Sequence, residues 1–388
     1  MKDHILKNIQ KCAAVITSTA LLFALSSCST VSYQSEADEI ENIAEVLLPK
    51  EGQDIEIGML ATSSDVQPED VKDESKTKNE VTVSILGDIL LDEYIIYDAA
   101  SRAGEGKSYS FLTLYTGIYR DIKDADLSMC SYSTAASPIN SWTFKTTPVE
   151  SLAALESVGF DVLETTGSTD CSSVIESYSM KSVNSGLSSA DCVKIIEKNG
   201  LSFGFLALGG KGSTQSYLSG SYEATIANAK RSADVVIVSV DWDDYTSAEN
   251  MKSIAAKMAS AGADVIVGNA DGLGNVDWIS NSNGTKTLVA YSLGNLVATS
   301  TSIQSLCGGM LHFTVKQNDD GLSIGGVVLE PTLTFFSAAG GNYLVKFVGD
   351  CDDSLLSQHG VWGVTKNNVL KYIRSNVAAE FLPADIRG

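Results

Sequence analysis

Between residues 81 and 292, short apolar runs ended by turn residues alternate with stretches of helical periodicity, and this alternation constrains the fold most. The runs are 81–86, 127–131, 162–165, 201–208, 235–240, 265–268 and 287–292. The helical stretches are 111–122, 149–158, 190–198, 224–231 and 248–261, with Pro148 at a helix start, where a proline costs nothing. Such alternation predicts an α/β body with a largely parallel central sheet. Past Tyr291 the pattern changes: 311–315, 323–333 and 342–348 read as strands with no helix between them, and a helix over 366–376 closes the chain. A multi-layer α/β sandwich with C-terminal antiparallel strands is the expected fold.

The amino terminus reads as a targeting segment. Lys2, Lys7 and Lys11 precede an apolar run over 13–25, too short for a span of ~20 residues and suited to a secretory signal. It ends in Leu25-Ser26-Ser27-Cys28, which resembles a bacterial lipobox; an ordinary signal peptide with a chance cysteine is the other reading. A diacylated Cys28 would supply two acyl chains, enough for stable anchoring. Residues 1–27 are thus expected to be removed, leaving an exported protein that is lipid-anchored in the cell membrane and faces the extracytoplasmic side.

Residues 29–80 hold 14 acids against four lysines and one aromatic, Tyr33. That composition predicts an acidic flexible tether over 28–80, with a short helix allowed over 36–48. The folded domain is then 81–388. Over the whole chain, 27 Lys and Arg stand against 48 Asp and Glu, a net −21 that excludes broad contact with nucleic acid. Of the cysteines remaining after processing, Cys130, Cys171, Cys192, Cys307 and Cys351, none are at CxxC spacing; a Cys171–Cys192 bridge is allowed in an exported protein.

In an open α/β sheet, chemistry collects at the carboxyl ends of the strands. Six segments ending there, VTVSILGDILL, DADLSMCSYS, LAALESVGFDVLETTGSTD, SADVVIVSVDWDDY, AGADVIVGNADG and VAYSLGNL, together resemble, in order, the capsule-synthesis CapA family, which is associated with poly-γ-glutamate export and related to calcineurin-like metallophosphoesterases. VTVSILGDILL resembles the family's opening strand with its Gly-Asp; DADLSMCSYS resembles the strand ending in Asn-Leu-Glu. LAALESVGFDVLETTGSTD resembles the helix and strand leading to Asn-Asn-His, and SADVVIVSVDWDDY the strand ending in His-Trp-Gly, with Trp242 kept. AGADVIVGNADG is similar to the segment bearing Gly-His-His-Pro-His, and VAYSLGNL to Tyr-Ser-Leu-Gly-Asn-Phe, with Asn295 at the asparagine. The match covers 81–296, leaving 297–388 for the C-terminal strands and helix. It implies a calcineurin-like sandwich and a two-metal centre.

The departures fall on the ligands. Asp88 keeps the first acidic position, but Ser133 stands for the glutamate, and Ser168 and Thr169 for Asn and His. Asp241 replaces the His-Trp-Gly histidine; Asn269, Ala270 and Gly272 replace the later imidazoles; and Glu93 replaces an arginine. The chain has three histidines, His4, His312 and His359, none in these motifs. Paired transition ions want imidazole, whereas oxygen-only sites suit Mg²⁺ or Ca²⁺. No cofactor is therefore expected, with a single Mg²⁺ or Ca²⁺ on Asp88, Asp241 and Asn269 as the weaker alternative.

Three functional readings follow. The first is a non-catalytic pseudoenzyme of capsule, poly-γ-glutamate or other envelope-polymer assembly, its partners the membrane and the polymer or assembly proteins. The second is a residual metal-dependent hydrolase. The third is a glycan- or solute-binding lipoprotein, with Ser131, Ser133, Thr169, Asp241, Trp242 and Asn269 lining a polar cleft.

Overall fold

The computed structural model describes residues 79–104, 106–133, 147–165, 172–186, 192–243, 246–319 and 321–388, and side chains at these positions except that of Ser133. The signal segment, Cys28, the tether with its helix, Ser168, Thr169 and Cys171 lie outside the described residues.

The strands are β1 (Glu80–Leu90), β2 (Leu127–Ser133), β3 (Val162–Thr165), β4 (Lys181–Asn184), β5 (Val193–Lys198), β6 (Leu201–Leu208) and β7 (Val235–Asp241). They continue as β8 (Val265–Asn269), β9 (Val276–Ser280), β10 (Lys286–Ala290), β11 (Asn295–Val297), β12 (Cys307–Asn318), β13 (Gly321–Phe335) and β14 (Leu344–Phe347). One sheet runs β14-β13-β12-β1-β2-β3-β4, with β11 beside the end of β1; the other runs β5-β6-β7-β8-β10-β9. In the first sheet β1 to β4 are parallel and β12 to β14 antiparallel. The parallel and antiparallel halves expected from the sequence therefore meet at β1, inside one sheet.

Period-two alternation sorts the side chains into layers. On β1, Val83 and Ile85 face inward against Phe203, Phe205, Ile237 and Val267 of the second sheet, forming the inter-sheet core. Leu86 and Ile89 face outward, under α1 (Glu93–Ser101) and, past α2 (Tyr119–Asp124), under α3 (Glu150–Val158). On the second sheet, Leu206, Val238 and Ile266 face outward under two later helices, Tyr222–Lys230 and Ala248–Ala261. The result is a helix–sheet–sheet–helix sandwich. Each fully buried Leu, Ile or Phe contributes about 1.5–3 kcal/mol to holding these layers together.

Local rules set the element ends. Asp92 caps α1 by accepting from Tyr94 N and Ile95 N, both at 3.1 Å. Ser247 caps the helix Ala248–Ala261, which stops at Gly262 with φ 114°.

The structure corrects three expectations. Residues 193–198 form strand β5, not a helix: Val193, Ile195 and Ile196 are β-branched, and the segment finds its backbone partners in an antiparallel ladder from Val193–Leu206 to Lys198–Leu201. The helix expected over 111–122 is broken at Gly117 into a 3₁₀ turn, Leu112–Tyr115, and α2. There β14 comes so close that a Cβ on Gly117 would lie 2.5 Å from Val345 O. The helix Lys366–Asn376 is found, but a 3₁₀ turn, Ala379–Phe381, and a short helix, Ala384–Arg387, follow it.

Candidate functional site

The inward-facing column of the parallel strands is apolar until its carboxyl end, where it turns polar. Past a bulge in β1, Asp88 is the register neighbour of Ser131 on β2, and Ser131 of Glu164 on β3. On the facing sheet the corresponding positions are Ser239 and Asp241 of β7 and Asn269 of β8, the last two register partners. The inter-sheet core thus ends in a polar plug. Two glycines permit this crowding: a Cβ on Gly87 would lie 2.1 Å from Gly294 O, and one on Gly268 2.2 Å from both Trp242 Nε1 and Tyr291 O.

Glu164, wholly buried, ties the sheets together. Its Oε2 accepts from Ser239 Oγ and from Asn269 Nδ2, each at 2.6 Å, and the same amide also reaches Ser239 Oγ at 3.3 Å. Burial pushes its carboxyl up to about 8, against the pull of the Ser239 hydrogen bond and with added push from Asp88 and Asp241. Burial likewise raises Asp88 to about 6, the Ser131 hydroxyl pulling the other way. Among the described residues, Asp88 Oδ1, Ser131 Oγ and Glu164 Oε1 are shut off from solvent, with the Ser131 hydroxyl between the two carboxyls and pulling on both.

A second cluster forms around Asp271, in the loop after β8. Asn295 Nδ2 donates to Asp271 Oδ1 at 3.2 Å and to Ser305 O at 2.9 Å. Asp271 Oδ2 accepts from Gln304 Nε2 at 3.3 Å and Ser305 Oγ at 3.0 Å. The Ser292 hydroxyl is directed at Ala270 O and Gly272 O, at 3.0 and 2.7 Å. These bonds make the loop a clamp whose carboxylate is fully engaged.

Of the residues expected at the site, the structure brings together Asp88, Asp241 and Asn269, with Ser131 among them. Asn295 belongs to the Asp271 clamp. Ser133 ends β2 opposite Leu90. Trp242 is 4% exposed; its Nε1 donates to Tyr291 O at 2.9 Å and its ring meets Tyr217 edge-on, so it packs rather than offering a stacking face. His312 bonds Ser84 Oγ through Nδ1 at 2.8 Å, and His359 packs between Phe335 and Phe336; both imidazoles stand apart from the plug. The residues missed are Glu164 and Ser239. A glutamate inside the apolar run 162–165 was the available signal, since carboxylates are rarely buried without a purpose.

Two facing sheets flanked by helices, with polar side chains gathered where the parallel strands end, define a calcineurin-like α/β sandwich. The chain belongs to the bacterial capsule synthesis protein PGA_cap family, whose model matches residues 82–300, more than half of it. That membership connects it to capsule synthesis. Among solved structures it is similar to a hypothetical protein from Thermus thermophilus, at 14% identity and a TM-score of 0.41, covering 64% of this chain and 99% of that one. It is also similar to Vps29 of Chaetomium thermophilum, solved with a cyclic peptide, at 10% identity and a TM-score of 0.20, covering 52% and 95%. No curated protein matches.

The paired ions that the fold family implies do not fit the residues present. Two such ions ~3.5–4 Å apart are clamped by imidazole and carboxylate donors. Here Asp241, Asn269, Ala270 and Gly272 stand at the imidazole positions, and the Asn269 amide is already bonded to Glu164. Among the described residues, no three His, Cys, Asp or Glu side chains are grouped to hold a metal ion.

Proposed function

We propose that this chain is a lipid-anchored envelope protein whose PGA_cap domain serves capsule or poly-γ-glutamate assembly without phosphoesterase chemistry. Asn269 is the observation that carries the reading. At a position where a phosphoesterase would present an imidazole to a metal, this side chain points into the core and donates to Glu164 and Ser239. An amide whose nitrogen is so engaged supplies neither the nitrogen ligand nor the proton carrier that an imidazole would. The Asp271 clamp supports the same conclusion, because it ties the neighbouring loop into a hydrogen-bonded scaffold.

The lipobox resemblance at Cys28 and the acidic stretch 28–80 support an anchored domain tethered outside the membrane. A glycan cleft built on Trp242 loses its stacking residue to packing. Hydrolysis of bis-p-nitrophenyl phosphate by the purified chain with Mn²⁺, Mg²⁺ or Ca²⁺ tests the reading. The expected rate is that of buffer plus metal; turnover that disappears in Asp88→Ala overturns it.

A further inference from the structure

Opposite the polar plug, at the amino ends of β7, β8 and β10, the sandwich opens into a groove of about 990 Å³ between the β9–β10 and β12–β13 hairpins. Its apolar wall is Trp278, Val315, Leu322 and Ile324. Trp278 and Ile324 are half-buried against the inter-sheet core, and Leu322 is 39% exposed. Its charged wall sets Lys230 and Lys286 against Asp264. Lys230 pairs with Asp264 at 2.7 Å, so Lys286, exposed at the start of β10, gives the groove a net positive charge. An apolar trough that continues a core into solvent marks a place of binding.

Where the chain enters the body points to the occupant. Val81 of β1 pairs with Val315 of the groove wall, Glu80 pairs with Lys316, and Asn79 O accepts from Gln317 N at 2.9 Å. The acidic stretch before β1 therefore joins the body at the groove's rim. Within that stretch Ile40, Ile43 and Leu47 stand at helical spacing, with Glu41 and Glu45 on their flank. The linking residues 49–78 span about 30 Å as a random chain, which holds the segment near the rim at roughly millimolar effective concentration. A helix over 40–48 is ~14 Å long and ~10 Å across, roughly 1,000 Å³, the size of the groove. An acyl chain matches the apolar wall but not the lysines.

We infer that residues 40–48 of this same chain seat in the groove as an amphipathic helix, Ile40, Ile43 and Leu47 against its apolar wall and Glu41 and Glu45 toward Lys286. Nine residues make a helix that is marginal alone in water, so it forms on docking. The docking itself is independent of the lipid anchor, whereas its consequence rests on the preceding reading. With Cys28 lipidated, only residues 29–39 then separate anchor from body, about 40 Å at full extension. The amino ends of the strands face the membrane, and the polar plug faces away from it.

The test is hydrogen–deuterium exchange with mass spectrometry on the full chain in detergent, read over 40–48, 281–286 and 321–324. The expected result is exchange over 40–48 at least about tenfold slower than the unstructured rate. Ile43→Asp with Leu47→Asp should abolish that protection and speed exchange over both hairpin segments. Leu322→Asp, at the exposed rim, should abolish it with an unchanged circular dichroism spectrum, and Lys286→Glu should weaken it, more at low salt than at high. Ile55→Asp with Ile57→Asp should leave it intact. Exchange over 40–48 at the unstructured rate, or protection that survives Leu322→Asp, overturns the inference. So does protection that grows with protein concentration, which seats a second copy's segment, or that changes with the detergent, which seats it on the micelle. Cys28→Ala separates the two readings: protection kept in a mutant that stays membrane-bound defeats the anchor alone, and protection absent from an anchored native chain defeats this inference alone.

Discussion

The two polar clusters at the strand ends, one around Glu164 and one around Asp271, end in opposite states. Asp271 is exposed, and both its oxygens accept hydrogen bonds from Asn295, Gln304 and Ser305. Glu164 is enclosed, its Oε2 accepting hydrogen bonds from Ser239 and Asn269 and the Ser131 hydroxyl also acting on its carboxyl. The first is a finished loop clamp, worth only what partly solvated hydrogen bonds contribute. The second couples the two sheets. The two clusters thus differ in kind: one is a loop scaffold closed by its own hydrogen bonds, the other a buried carboxyl held between two sheets.

The contrast breaks first under truncation. Glu164→Ala removes the acceptor of Ser239 and Asn269 in a dry layer and leaves a cavity, so a loss of about 3 kcal/mol is expected in urea unfolding followed by circular dichroism. A loss below about 1 kcal/mol would mean that the plug is wet and loosely held.

Acidity sharpens the same contrast, with a smaller effect. Glu164 holds its proton to about pH 8 in the folded chain, against an ordinary value of 4.5. Its contribution to stability is therefore full below pH 4.5 and is lost as pH rises toward 8, because the unfolded state ionises first. His312, lowered by burial to about 4, has the opposite slope and acts only below its ordinary 6.5. In chelator, melting temperature should thus fall from about pH 6.5 to about pH 8 in the native chain and stay flatter in Glu164→Gln. Equal slopes in the two proteins would contradict the enclosed carboxyl.

The smallest effect belongs to the clamp. Asp271→Ala should cost about 0.5–1 kcal/mol in urea unfolding, since its bonds are exposed.

How much of this was legible in the sequence follows from where local rules decide. Strands β3 and β6 and the helices Ala248–Ala261 and Lys366–Asn376 appear at the residues their patterns predict, because apolar periodicity and caps there agree with packing. Residues 193–198 read as a helix because their strand pattern is half-exposed and only the β6 ladder selects it. Asp88, Asp241 and Asn269 were found from motifs at strand ends, and they converge. Glu164 and Ser239 escaped because each stands within an apolar run, just below a motif, and only the register of two facing sheets brings them together. Trp242 is a motif residue whose task, the bond to Tyr291 O, only the tertiary fold reveals.

The central claim is that the described strand ends of this sandwich offer no seat for paired transition ions. Anomalous diffraction from crystals grown with excess Mn²⁺, collected on both sides of the manganese absorption edge, tests it most directly. The account predicts no pair of anomalous peaks beside Asp88. Two peaks ~3.5–4 Å apart, bridged by its carboxylate, would contradict it.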